Sequence, residues 1–171
     1  MSVPHIVLAG NPNCGKTALF NALTGSNQRV GNWPGVTVER KRGLCVVDHQ
    51  SLEIIDLPGV YSLLSYGAEC GLDARIACQH LLTEPVDVVV NVIDATNLER
   101  HLFLTTQLLD LGYPMVVAIN MVDVLEGRGG SVDVALLEKQ FGCPVVAIVA
   151  NQKKNIAALQ QAVLSQVRRP Q

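Results

Sequence analysis

Residues 10–17 read Gly-Asn-Pro-Asn-Cys-Gly-Lys-Thr, and this stretch decides the fold of the chain. Its spacing, a glycine followed by four residues and then Gly-Lys-Thr, is the signature of a loop that binds phosphate groups. The glycines permit backbone angles at which successive N–H groups turn inward around an anion. The apolar run 5–9 predicts a buried strand before the loop, and 18–23 predicts a helix after it. The motif therefore has the surroundings that it requires.

Two side chains of this loop have specific expected tasks. Lys16 is expected to neutralise the β- and γ-phosphates of a nucleotide, and the Thr17 hydroxyl to bind Mg²⁺. The helix that begins near Gly15 adds the positive end of its dipole, and this end is expected to lower the pKa of the Cys14 thiol. The predicted nucleotide-binding residues of the loop are Asn11, Pro12, Asn13, Cys14, Gly15, Lys16, Thr17 and Ala18.

The composition fits a single domain over residues 1–171. Hydrophobic residues make up 49% of the chain and aromatic ones only 4%, which predicts a large aliphatic core. A net charge of −2 gives no general attraction to nucleic acid, so no nucleic-acid partner is expected. Five scattered cysteines favour a reducing cytoplasm over a disulfide framework. The apolar runs are too short to cross a bilayer.

Strand-like and helix-like stretches alternate along most of the chain. The valine-rich run 87–93 is typical of a strand buried on both faces of a parallel sheet. We therefore predict an α/β sandwich of three layers, with a mainly parallel sheet of six or seven strands and helices on both faces. Residues 26–39 lack periodicity and are predicted to be an irregular connection. Strands are predicted at 5–9, 44–47, 51–56, 87–93, 115–119 and 145–149, and helices at 16–24, 72–82, 98–111, from 131 or 133 to 141, and 156–167.

Ligands of such sheets bind at the carboxyl ends of the strands, and a second motif lies at that edge. Asp56-Leu57-Pro58-Gly59 follows a predicted strand. Asp56 is expected to hold Mg²⁺ through water, and the Gly59 N–H to approach a γ-phosphate. The alternative interpretation is a plain Pro-Gly turn.

A third motif, Asn120-Met121-Val122-Asp123, follows the strand 115–119. The Asp123 carboxylate can accept two hydrogen bonds from guanine, which adenine cannot offer, and a buried acceptor that faces the wrong base stays unpaired. Asn120 is expected to contact the base and to brace the phosphate loop. The alternative is a cap for the segment that follows.

Two further elements complete the predicted site. In Asn32-Trp33-Pro34-Gly35-Val36-Thr37, the threonine is expected to reach Mg²⁺ and the γ-phosphate, and Trp33, the only tryptophan, is predicted to be a mobile surface group. Val149-Ala150-Asn151 is expected to offer backbone N–H groups to the guanine oxygen. The predicted nucleotide-binding residues outside the phosphate loop are Gly35, Val36, Thr37, Asp56, Gly59, Asn120, Met121, Asp123, Val149, Ala150 and Asn151.

Five elements in this order resemble a P-loop NTPase of small-GTPase type, in the translation-factor-related class. The string 10–17, with Arg-Val-Gly-Asn-Trp-Pro-Gly-Val-Thr-Val-Glu at 29–39, is similar to the N-terminal G domain of the FeoB family of bacterial ferrous iron transporters. Asp-Ala-Thr-Asn-Leu-Glu-Arg at 94–100 and the motif at 120–123 are similar to it as well. The resemblance covers essentially the whole chain and implies a slow GTPase that forms GDP and phosphate.

The resemblance also implies how water is activated. Val60 stands where many GTPases carry a glutamine that orients the attacking water. In the family this help is attributed to K⁺, whose ligands here would be the Asn13 side chain and the carbonyls of Gly31 and Trp33. The implied Mg²⁺ ligands are Thr17, Thr37 and Asp56. The implied catalytic residues are Lys16, Asn13, Thr37 and Gly59.

Partners and location follow from the same resemblance. A helical regulatory domain and a transmembrane iron channel are expected outside this chain, which is expected to be one cytoplasmic domain of a longer protein in the bacterial inner membrane. The loops that carry Thr37 and Gly59 are the candidate contact surface for a dimer or trimer, and the sequence does not decide the oligomeric state.

Two departures from generic GTPase motifs predict weak nucleotide affinity with fast release. Met121 replaces the usual lysine, and Ala150-Asn151 replaces a Ser-Ala or Ser-Thr pair. Two alternatives also stay open. One is a free-standing regulatory or ribosome-associated GTPase of the same class, and the other is a P-loop kinase acting on a small molecule, which would give no role to Asn120 and Asp123.

Overall fold

The computed structural model describes residues 2–64 and 71–168, which form one seven-stranded sheet with helices on both faces. The strands are β1 (His5–Gly10), β2 (Gln28–Asn32), β3 (Glu39–Val47), β4 (Gln50–Asp56), β5 (Val88–Asp94), β6 (Met115–Asn120) and β7 (Val145–Ala147). The helices are α1 (Lys16–Thr24), α2 (Leu72–Thr83), α3 (Leu98–Asp110), α4 (Val122–Gly127), α5 (Val134–Phe141) and α6 (Ile156–Val167). The predicted α/β class and helices on both faces are confirmed.

The order of the strands places the end of β1 at a special point. The sheet runs β2-β3-β4-β1-β5-β6-β7, with β4, β1, β5, β6 and β7 parallel and β3 antiparallel to both of its neighbours. The chain builds first to one side of β1 and then to the other. In open α/β sheets this switch point forms a crevice at the carboxyl edge, where ligands bind.

Alternate residues of the parallel strands face opposite helical layers, because side chains along a strand point alternately to the two faces. Ile6 and Leu8 pack in one cluster with residues of α1 and α6. Val7 and Ala9 pack in a second cluster with residues of α2 and α3. This double burial explains why β1 and β5 are almost wholly apolar. Within residues 2–64 and 71–168, no helix has the length and apolar character needed to cross a membrane.

The prediction of an irregular connection at 26–39 was wrong in its first half. Residues 28–32 form β2, which pairs antiparallel with β3 in the register Val30↔Lys41. Four of the five β2 residues are exposed, since this strand lies at the edge of the sheet. An edge strand that buries no side chain needs no apolar alternation, so hydrophobic periodicity could not reveal it.

The structure also revises the predictions for the chain after residue 120. The last strand stops at Ala147 rather than residue 149, because Val149 turns away to form an isolated bridge with Lys154. Helix α4 was missed, since its six residues are too short a stretch to show a helical period. Of the two candidate caps for α5, the structure selects Asp133, whose side chain accepts from the Leu136 N–H.

Candidate nucleotide-binding site

The phosphate loop connects β1 to α1 and leaves its backbone N–H groups without backbone acceptors. The N–H groups of residues 13–18 donate to no carbonyl of the described part of the chain. Asn13 and Gly15 have left-handed backbone angles, with φ of 63° and 87°, which turn successive N–H groups toward one side. These groups border a cavity of about 410 Å³ lined by Asn11, Pro12, Asn13, Gly15, Lys16, Thr17, Gly59 and Asp73. Such a row of free donors at a helix start suits a polyphosphate.

Lys16, which lines this cavity, forms a buried ion pair with Asp56. The Lys16 ammonium contacts Asp56 Oδ1, and both residues are less than a tenth exposed. Asp56 is the last residue of β4, which lies next to β1 in the sheet, so strand pairing brings together two groups that are 40 residues apart. Each charge is thus compensated in the absence of a nucleotide.

Gly59 lies directly against the phosphate loop, as its predicted role requires. A Cβ atom added at Gly59 would be 2.9 Å from Pro12 Cα and 3.0 Å from Pro12 N. The following Val60 N–H donates to the Gly10 carbonyl at 3.0 Å. Glycine is therefore needed here for close backbone approach rather than for an unusual φ.

Asn120 braces the phosphate loop, as predicted, and does so from two sides. Its Nδ2 donates to the Cys14 carbonyl at 3.1 Å, and its Oδ1 accepts from the Ala150 N–H at 2.9 Å. Asn120 is 3% exposed, so these bonds form away from water. A Cβ at Gly15 would overlap Asn120 Nδ2, which explains the glycine of the loop at this position.

A second cavity adjoins the cavity beside the phosphate loop, which we call the phosphate cavity, and the two share Gly15. Its volume is about 220 Å³, and its lining residues are Gly15, Ala18, Asn120, Met121, Asp123, Val124 and Asn151. The Asp123 carboxylate accepts one bond, from Gln152 Nε2 at 3.3 Å, and is only partly buried. Its remaining acceptor sites are available to a base in this cavity.

The prediction for Val149-Ala150-Asn151 needs a partial correction. The Val149 N–H already donates to the Lys154 carbonyl at 3.2 Å, and the Ala150 N–H to Asn120. Within residues 2–64 and 71–168, the Asn151 N–H has no such partner, and Asn151 lines the base cavity. The bridge to Lys154 could not be foreseen, because it depends on the turn at residues 150–153.

The expectation that the Cys14 pKa falls was wrong. Cys14 is fully buried, and this burial raises the pKa of its thiol from 9.0 to about 11, although Lys16 acts in the opposite direction. Desolvation of the thiolate outweighs the positive helix end and the lysine. At neutral pH the thiol is protonated and packs as a small apolar group.

Residues 4–163 match the sequence model of a family described as ferrous iron transport protein B. The chain belongs to this family. It is 54% identical over 160 residues to the Fe(2+) transporter FeoB of Legionella pneumophila (strain Paris), and 52% identical over 159 residues to that of Salmonella typhimurium (strain LT2). These matches cover 94% and 92% of this chain but only 21% and 20% of the relatives, so the chain spans about a fifth of their length.

Solved FeoB structures share the fold. The cytosolic domain of L. pneumophila FeoB matches with a TM-score of 0.91 at 54% identity, over 94% of this chain and 68% of that one. The G domain of T. maritima FeoB matches with a TM-score of 0.88 at 36% identity, over 98% and 100%. A point mutant of S. thermophilus NFeoB, bound to mGDP, matches with a TM-score of 0.85 at 49% identity, over 97% and 61%. The comparisons give no support to the kinase or free-standing GTPase interpretations.

In this FeoB-family domain, Trp33 of segment 31–37 packs against helix α2. Trp33 is 5% exposed, so the prediction of a mobile surface group was wrong. Its ring packs edge-to-face on His80 of α2, with centroids 5.3 Å apart, and its carbonyl accepts from the Val36 N–H. Among the described residues, no hydrogen bond joins segment 31–37 to the phosphate loop, and Thr37 is exposed. Burial of Trp33 depends on α2, which is remote in sequence.

Sequence reasoning missed several residues that support the site. The backbone carbonyl of Arg100 accepts a hydrogen bond from Asn11 Nδ2 at 3.3 Å. The Arg100 guanidinium lies 4.6 Å from the centre of the Tyr61 ring. Asn91 Nδ2 donates to the Ala9 carbonyl, and Asn91 Oδ1 accepts from the Thr105 hydroxyl at 2.6 Å. The sequence did contain a sign of the role of Asn91, since this asparagine interrupts an otherwise apolar buried strand. A buried amide at such a position needs a partner.

Proposed function

We propose that this FeoB-family domain binds GDP and GTP with Mg²⁺ and hydrolyses GTP to GDP and phosphate. The observation that carries the proposal is the pair of cavities that meet at Gly15. One offers free backbone N–H groups and a lysine, and the other offers the Asp123 carboxylate. A nucleotide needs this combination of a polyphosphate site beside a base site. The mGDP-bound S. thermophilus relative supports the same assignment.

The residues of the phosphate cavity fit Mg²⁺. The Thr17 hydroxyl is exposed at the first turn of α1, and the Asp56 carboxylate lies at the end of β4. Hydroxyl and carboxylate oxygens are the ligands that Mg²⁺ prefers, alongside water and phosphate. Bound Mg²⁺ would neutralise charge on the phosphates. Lys16 would then exchange its contact with Asp56 for the β- and γ-phosphates, which offer it a stronger negative partner.

The residues that sense the γ-phosphate would be Gly59 and Thr37. Gly59 already lies on Pro12, so a small movement presents its N–H to a γ-phosphate. Thr37 would contact the γ-phosphate as part of segment 31–37, in which Trp33 packs on His80. Both contacts would be lost when phosphate leaves, so the domain would act as a switch between two states.

The K⁺ part of the proposal rests on Asn13. Its side chain is exposed on the phosphate cavity and is free to offer an amide oxygen. The carbonyls of Gly31 and Trp33 would complete the K⁺ site. A bound K⁺ would supply positive charge near the phosphates, as Val60 cannot orient water.

A comparison of salts and nucleotides tests the proposed function. Calorimetry with Mg²⁺ is expected to give heat on addition of GDP but not of ADP. GTP turnover is expected to be slow and to rise when NaCl is replaced by KCl, and Asn13→Ala is expected to remove the difference. Absence of heat with GDP would overturn nucleotide binding, and equal turnover in the two salts would overturn only the K⁺ step.

We further propose that the domain serves a longer transporter. The curated relatives are Fe(2+) transporters about five times the length of this chain. In such a parent protein, located in the bacterial inner membrane, this domain would lie on the cytoplasmic face and act on helical and transmembrane domains, with ferrous iron as the transported substrate. Iron uptake by cells that carry the parent gene with Lys16→Met is expected to fall to the level of the gene deletion.

A further inference from the structure

A small cavity between the β2–β3 connection and α2 gathers many unpartnered polar atoms. Its volume is about 90 Å³. In the described part of the chain, eight buried side-chain nitrogen or oxygen atoms have no hydrogen-bond partner, and four of them belong to residues that line this cavity. The four are Trp33 Nε1, Arg40 Nε and both ring nitrogens of His80. Because buried polar groups in folded proteins nearly always have a partner, this cluster indicates a polar occupant.

Arg40 determines the charge that suits the occupant. Its guanidinium lies 4.6 Å from the centre of the Trp33 ring, and it forms no ion pair with a carboxylate of residues 2–64 or 71–168. The neighbouring Arg42, in contrast, has Glu53 Oε2 at 2.7 Å. Burial, and after it Arg42, lower the pKa of Arg40, but an arginine stays protonated at neutral pH. A half-buried cation without a counter-ion favours an anion.

The other buried groups supply further donors. Trp33 Nε1 can only donate. Burial, and after it Arg40, lower the pKa of His80 to about 4, so its ring is neutral at pH 7 and donates from one nitrogen. Gln79 and Thr83 add polar groups to the lining, whereas Glu84 is exposed and opposes an anion. The buried residues around the cavity therefore contain unpartnered nitrogen atoms from three side chains.

We propose that this cavity binds a small oxyanion, held by the Arg40 guanidinium and by the N–H groups of Trp33 and His80. The donor set and the small volume fit a carboxylate or phosphate ion rather than a larger organic molecule. The opposing charge of Glu84 weakens the binding. If the proposed function is also correct, a bound oxyanion holds the connection that carries Thr37 against α2. The binding itself does not depend on that function.

Fluorescence of Trp33 tests the proposal directly, because the chain has no other tryptophan. Nucleotide-free protein is titrated separately with sodium phosphate and sodium acetate at constant ionic strength. We expect a saturable change in emission with at least one of the two anions. Arg40→Met is expected to weaken this binding by about tenfold or more, since it removes a charge-assisted hydrogen bond. Arg29→Met, which removes the same charge from exposed β2, is the matched control and is expected to change the affinity less than twofold.

A background variant separates this cavity from the phosphate loop, which can also bind anions. The response is expected to persist in Lys16→Met and to be lost in His80→Phe, which keeps an aromatic edge on Trp33 but removes both ring nitrogens. Circular dichroism checks that each variant is folded. If His80→Phe does not fold, the result with Arg40→Met alone decides whether the cavity binds the anion. A response that Lys16→Met abolishes and Arg40→Met leaves intact overturns the proposal. So does the lack of a saturable response to either anion, which would mean that the cavity holds water only.

Discussion

Asn120 Nδ2 donates to the Cys14 carbonyl, a hydrogen bond of 3.1 Å between residues 106 positions apart. Through its Oδ1, the same side chain holds the Ala150 N–H at 2.9 Å. One buried amide therefore joins the phosphate loop, the base motif and the 149–151 segment. The two proposed halves of the nucleotide site are fixed relative to each other before any ligand binds.

We expect Asn120→Ala to weaken the fold and the site together. It leaves the Cys14 carbonyl and the Ala150 N–H buried without partners, which costs about 1–3 kcal/mol in the free energy of unfolding. Urea denaturation measures this loss, and GDP affinity is expected to fall by about tenfold or more. As a control, Asn97→Ala changes an exposed asparagine. An unchanged urea midpoint in Asn120→Ala would show that the bracing contributes nothing.

Asp123→Asn is expected to change which base is preferred. The amide offers a donor where the carboxylate accepted, so guanine loses a complementary partner and GDP affinity falls by about 2 kcal/mol, or roughly thirtyfold. Xanthine carries a carbonyl in place of the exocyclic amine, so XDP is expected to bind Asp123→Asn better than GDP. Competition binding with GDP, XDP and ADP measures the order. If GDP still bound best to the variant, Asp123 would not be the residue that reads the base.

Lys16→Met is expected to destabilise the domain even without nucleotide. It leaves the Asp56 carboxylate buried without its cation, which costs about 3 kcal/mol. The double variant Lys16→Met/Asp56→Asn removes both charges and is expected to recover most of this loss in urea denaturation. GDP binding is expected to be lost in both variants, because neither retains the Lys16 ammonium. Equal stability of the single and double variants would contradict the coupling of these two charges.

Gly59→Ala is expected to impair hydrolysis more than GDP binding. The added Cβ would lie 2.9 Å from Pro12 Cα, so the backbone at residue 59 must move away from the phosphate loop. Single-turnover GTP hydrolysis is expected to slow by about tenfold or more, with GDP affinity within about threefold of the parent. Gly127→Ala, where a Cβ meets no atom within 4 Å, is the matched control. A parent-like rate in Gly59→Ala would exclude an essential role for this N–H.

Alkaline pH is expected to destabilise the domain through Cys14. The thiol ionises at a pKa of about 11 in the folded state and near 9.0 when exposed, so the unfolded state binds fewer protons between these values. Stability is therefore unaffected below pH 9 and falls above it, by about 2 kcal/mol at pH 11. Cys14→Ala is expected to flatten this fall in urea denaturation at pH 8 and pH 10.5. Cys143, whose pKa burial also raises to about 11, is present in both proteins and cancels in the comparison.

Much of the fold and of the candidate site was predictable because the information is local. The spacing within 10–17, the apolar strands and the Asp56 and Asn120 motifs each lie within a few residues, and strand ends of a parallel sheet converge by topology. The edge strand β2 and helix α4 were not predictable by the same means. β2 buries no side chain and α4 has only six residues, so neither leaves a readable periodic signal in the sequence.

The sequence by itself determined the fold class, the family and the order of the motifs, since turn geometry and apolar periodicity are properties of neighbouring residues. Only the tertiary structure decided which partner each polar or aromatic group takes. In the folded domain Trp33 is buried against His80, and burial keeps the Cys14 thiol protonated. The N–H groups of Val149 and Ala150 donate to Lys154 and Asn120 and are not available to a ligand. These outcomes depend on desolvation and on contacts between residues far apart in the chain, which no local pattern records.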